Sequence, residues 1–165
     1  MRLRRKVRRD KNPPQQQIDD PTPAEREWVE SNLHLAEELV RTYATTASGA
    51  SSLTLLDDAF AAWLASWLDQ PEEDRDDPNS FINAFGIAFG QRLVDELGLE
   101  WKAVTDADGT EIAVHGQPGD ILVFPPNLVA KRFVARETWF LASIYEELAR
   151  MVDDFRRGVP PIEGS

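Results

Sequence analysis

The segment FINAFGIAFGQRLVDEL, residues 81–97, constrains this chain more than any other. Phe81, Phe85, Phe89 and Leu93 recur every fourth residue and so form one row on a helix, which Leu97 extends. Gly86 and Gly90 are also four apart and stack on one side of the same helix. A mid-helix glycine costs about 1 kcal/mol relative to alanine. Two at this spacing need an offset, and the missing side chains supply one by letting a second backbone come close. The pair therefore predicts structural close packing of this helix on another element. It is not a phosphate loop, because no strand precedes it and no Gly-Lys-Ser/Thr ending follows.

The surrounding residues predict the other elements. Thr22, Pro23 and Glu25 carry a helix start: a cap, a proline at the first helical position and the far half of a capping box. Val29, Leu33, Ala36, Val40 and Tyr43 form one face, widened by Trp28, Leu35 and Leu39. A loop at residues 48–52 leads to a second helix, with Thr54 as its expected cap and Leu56, Phe60, Trp63 and Trp67 on its inner face. Pro71 bars its continuation. The third helix opens near Asp77 and Pro78 and ends at Gly98 in a left-handed cap.

Leu99, Trp101 and Ala103 then alternate with Glu100 and Lys102 as a strand. Asp106, Ala107, Asp108 and Gly109 make a hairpin turn, and Ile112 and Val114 alternate with Glu111 and His115. Ile121, Leu122, Val123 and Phe124 read as a continuous apolar strand, expected at the centre of the sheet and stopped by Pro125 and Pro126. Asn127 is expected to cap a short helix through Phe133. A long helix follows from about Glu137 with Phe140, Ile144, Leu148, Met151 and Phe155 inward. The elements are segregated rather than alternating. The expected class is α+β: three N-terminal helices, a three-stranded antiparallel meander, then one or two C-terminal helices.

At 165 residues one domain is expected. Residues 1–21 read as a disordered basic and Pro/Gln-rich arm, 22–157 as a single α+β domain, and 158–165 as a loose tail. Seven basic residues between Arg2 and Lys11 against Asp10 give the arm +6; the chain totals −11, so the remainder holds −17. Such a body repels nucleic acid and anionic membranes, whereas the arm attracts both. The absence of cysteine excludes disulfides, thiolate nucleophiles and thiolate metal sites, and suits a reducing cytoplasm. The uncharged run over residues 78–91 falls short of the roughly 20 residues that cross a bilayer. No apolar run follows the basic stretch, so a secretory signal is not expected either.

The runs FGIAFGQRLVDELGLEW, DADGTEIAVHG and DILVFPPNLVAKR together resemble a bacterial family catalogued as domain of unknown function 3806. The resemblance covers roughly residues 55–152. Its markers are Gly86, Gly90, Trp101, the turn from Asp106 to Gly109, Pro125 and Lys131. It implies a bacterial protein with a shared α+β fold and implies no activity; the basic arm lies outside it.

Residues able to carry chemistry are sparse. Asp106, Asp108, Gly109 and Glu111 have a faint calcium-loop look, but an EF-hand needs a 12-residue loop with flanking helices, so the turn is structural. His34 and His115 are the only histidines and neither has a second at metal-ligand spacing. His34 falls on the polar side of its helix; His115 ends a strand. There is no Gly-x-Ser-x-Gly elbow. No catalytic residue, metal site or cofactor is called for. Lys131, Arg132 and Arg136 form the one cationic cluster of the acidic body, where Arg92 could join them around an anion. Trp28, Trp63, Trp67, Trp101 and Trp139 fall on periodic apolar faces, so core is their default. Trp63 and Trp67, one turn apart, could instead make an exposed stripe for a partner.

The reading is a cytoplasmic, non-catalytic protein that binds another macromolecule, an immunity-type protein facing a basic toxin being one version. The alternatives are a small-molecule or anion-binding protein or enzyme, with a pocket between the glycine helix and the sheet, and nucleic-acid association through the arm.

Overall fold

A computed structural model describes residues 16–45 and 49–159. Strand β1 (Gln17–Asp19) precedes helices α1 (Pro23–Tyr43), α2 (Ser52–Asp69) and α3 (Asn79–Leu97). Strands β2 (Glu100–Asp106), β3 (Gly109–Gly116) and β4 (Ile121–Val123) follow, then helices α4 (Pro125–Ala135) and α5 (Leu141–Arg157). The class is α+β; the described residues form five α-helices and a four-stranded antiparallel sheet in the order β1-β2-β3-β4.

The starts of α1 and α2 follow from local hydrogen bonding. Thr22 accepts from the Glu25 N–H at 3.2 Å, and Glu25 accepts from the Thr22 N–H at 2.8 Å, completing the capping box. At α2 the cap is Ser51, not Thr54: Ser51 Oγ accepts from the Thr54 N–H at 3.2 Å, so residues 51 and 52 belong to the helix start rather than to a loop. Gly98 closes α3 at φ 66°.

Four further expectations are corrected. The sheet has four strands rather than three, because Gln17–Asp19, inside the stretch read as the arm, pairs with β2 (Ile18 opposite Val104). That strand holds one apolar residue and rests on ladder bonds, which periodicity cannot show. Strand β4 is an edge rather than the centre; its unbroken apolar character arises because Ile121 and Val123 are buried while the half-buried Leu122 lines an apolar groove shared with α4 and α5. The two prolines open α4 instead of standing before it, since the first helical positions have no use for an N–H. Asn127 is therefore not the cap. Finally, α5 begins at Leu141 rather than near Glu137, because Arg136 and Trp139 take left-handed φ values of 58° and 59°.

Helix α3 is the centre of the molecule and packs on α1 and α4. Phe85, Phe89 and Leu93 are fully buried along its row. Phe60 from α2 meets Phe85 and Phe140 edge-on at centroid distances of 5.2 and 5.3 Å, and Trp63 stacks on Phe81 at 5.1 Å. The glycine side of α3 faces α4 and β2. A Cβ at Gly86 would lie 2.5 Å from the Pro126 Cα, and one at Gly90 would lie 2.3 Å from the Trp101 ring and 2.8 Å from the Pro125 ring.

Candidate functional site

The sequence-derived candidates do not converge on one place. Arg92 pairs with Glu96 on α3 and, with Gln91, borders a groove between α1, α2 and α3. Lys131 and Arg132 border a different one, formed by β4, α4 and α5. Arg136 reaches neither; its guanidinium lies over the rings of Phe133 at 4.8 Å and Trp67 at 5.6 Å. The space beside Gly86 and Gly90 is filled by Pro125, Pro126 and Trp101, so no pocket opens at the glycine notch itself.

Trp63 is 2 % exposed, and Trp67 is half-buried with its indole N–H donated to the Asp76 carbonyl at 2.9 Å. The two sit in the core and its edge rather than as an exposed stripe. Exposed indoles occur instead at Trp28 and Trp139, two positions assigned to the core by periodicity. The turn from Asp106 to Gly109 is a two-residue hairpin loop: Asp106 pairs with Gly109 across the ladder and its carboxylate accepts from the Asp108 N–H at 2.8 Å. Among the described residues no group of three or more His, Asp or Glu could hold a metal ion. Likewise no described helix is long and apolar enough to cross a membrane. The basic stretch between Arg2 and Lys11 and the residues from 160 onward lie outside the described residues.

Residue spacing did not point to the two carboxylates that are buried among the described residues, Asp57 and Asp58. Asp57 on α2 accepts from the N–H groups of Leu141 at 2.9 Å and Ala142 at 3.1 Å, so it caps α5 from another helix. Burial pushes its pKa up, against those hydrogen bonds, which lower it. Asp58 accepts from the Thr45 N–H at 2.6 Å and holds the end of α1. Both acidic groups therefore hold the frame together. Neither lines the groove beside Arg92 or the one beside Lys131.

The groove of β4, α4 and α5 has a volume of about 680 Å³. Its walls are apolar, from Leu122, Ile144, Leu148 and Met151. Its charged lip is nearly neutral: Arg132 bonds Glu137 at 2.8 Å, and the groove is lined by both Lys131 and Glu147. One turn beyond Lys131 lies Val134, 78 % exposed, and past the end of α4 lies Trp139, 54 % exposed. A bulky residue held in the left-handed region costs about 1–3 kcal/mol. An exposed indole also forgoes the stabilisation that burial would give.

The family model described as Domain of unknown function (DUF3806) matches residues 61–145. The match spans just over half the chain, and the chain belongs to that family. No curated protein and no solved structure matches it.

Proposed function

We propose that the protein is a non-catalytic binding module that engages another protein through the corner where α4 hands over to α5. The observation carrying this reading is Trp139, exposed and held at φ 59° in the link between α4 and α5, with the exposed Val134 near the end of α4 and an apolar groove lined by both helices. Backbone strain and an unburied indole at one place are two costs that a docked partner offsets together. Charge adds a second level. The corner is nearly neutral and supplies apolar contact, while the −11 of the whole chain speeds encounter with a basic partner. A basic toxin faced by an immunity-type protein is one such pairing.

Affinity capture from lysate of the source organism, with wild-type protein and a Val134→Ser/Trp139→Ala variant, tests this. The variant keeps the wild-type thermal midpoint and loses a partner that the wild type retains. A variant that retains that partner, or a wild type that retains none, overturns the reading.

A further inference from the structure

A further cavity, of about 330 Å³, lies between the start of α1, α3, the start of β3 and the first turn of α4. Its aromatic walls are Trp28 and Phe124, and its polar groups include Glu25, Asn83, Glu111 and Asn127. Among the described residues no lysine, arginine or histidine lines it. Several of its polar atoms are unspent. The half-buried Asn83 amide makes no hydrogen bond to any described residue. Glu25 commits one carboxylate oxygen to the Thr22 N–H and keeps the other. Glu111 accepts only a long 3.4 Å contact from Asn127.

The helix end beside the cavity offers nothing to an anion. The first turn of α4 begins with Pro125 and Pro126, which lack N–H groups, and the N–H groups of Asn127 and Leu128 are both taken by the Phe124 carbonyl at 3.1 and 3.2 Å. A helix N-terminus binds anions through free N–H groups, and here none remains. Two carboxylates without a counter-cation, an indole face and free amide oxygens fit the opposite charge.

We infer that this cavity binds an organic cation, an alkylammonium or guanidinium group, with Glu25 and Glu111 as its counter-charges and Trp28 as its aromatic wall. The site is built on fixed elements. The capping box holds Glu25, and the Gly86–Pro126 contact fixes α3 against α4. The cavity sits at the first turn of α4, while the corner lies at that helix's other end; the cavity shares Phe124 and Asn127 with the groove of β4, α4 and α5, and its test is independent of the corner's.

Titration of the full chain with agmatine, followed by the indole N–H resonances, tests this. The Trp28 resonance, assigned by its loss in Trp28→Phe, shifts saturably. Glu111→Gln weakens binding about fivefold, as the loss of one charge contact predicts, and added salt weakens it further. Asn83→Ala serves as a second variant with a smaller effect of the same sign. Glucose and citrate, a neutral polyol and an anion, leave the resonance in place. The inference is overturned if agmatine moves no indole resonance, if glucose or citrate moves Trp28 instead, or if folded Glu111→Gln and Asn83→Ala both bind like wild type.

Discussion

At the level of single residues, the two α3 glycines differ in what they touch. Gly86 faces the backbone of Pro126, which cannot swing away. Gly90 faces ring atoms, of which the Trp101 indole is further held by its N–H donated to Gln91 at 2.9 Å. Alanine gains about 1 kcal/mol of helix propensity at either site, but overpacking against backbone costs more. Gly86→Ala is predicted to destabilise by about 2 kcal/mol in urea unfolding, and by more than Gly90→Ala; equal midpoints would contradict the contact order. Gly90→Leu overfills the notch and should collapse solubility or the thermal midpoint.

Asp57 gives a second residue-scale prediction. Asp57→Ala leaves the N–H groups of Leu141 and Ala142 without their acceptor and should cost about 2–3 kcal/mol. The pH dependence has a definite sign. A carboxyl with a raised folded pKa binds more protons folded than unfolded, so its contribution weakens as pH rises. The window runs from the ordinary 3.8 up to the raised value. Wild-type stability should therefore fall relative to Asp57→Asn as pH rises through that window, and run parallel to it above.

At the level of elements, α2 ends without a glycine, and Arg75 takes over that function. Its guanidinium donates to the carbonyls of Trp67 at 3.1 Å, Leu68 at 2.9 Å and Gln70 at 3.0 Å, and lies 4.8 Å over the Trp67 ring. Lysine cannot reproduce that fork. Arg75→Lys is predicted to cost about 1 kcal/mol and to raise hydrogen exchange in the last turn of α2, while leaving α5 protected. Strand β1 is tied differently, through the Asp20–Lys102 pair at 2.6 Å. The hydrogen bond from Lys102 lowers the Asp20 pKa, so the tie is present above 3.8 and is lost as acid titrates through the depressed value. The Ile18 amide resonance should shift toward its unpaired position there, and stay fixed from pH 5 to 8.

The same elements show what was legible. Helices with a local cap and a periodic face, α1 and the row of α3, could be read directly from residue spacing. So could the Gly98 stop and the Asp106–Gly109 turn. Strand β1 could not, since a single isoleucine among polar residues has no period. Nor could the start of α5, whose cap lies 84 residues away on α2. At the candidate site, Lys131 and Arg132 are neighbours in sequence and in space, but Arg92 is separated from them by the fold. Trp28 and Trp139 were misplaced because an apolar period assigns a side but not how much of that side is covered.

At the level of the whole molecule, the Asp57 bond has a practical bearing on any attempt to trim the protein. The family match begins at residue 61 and ends at 145, so it omits this carboxylate, all of α1 and most of α5. A fragment cut to those limits would open the α1 side of α3 to water and leave the backbone donors at Leu141 and Ala142 stranded. The smallest autonomous unit is therefore larger than the recognisable one, and its boundary is set by a hydrogen bond rather than by sequence likeness.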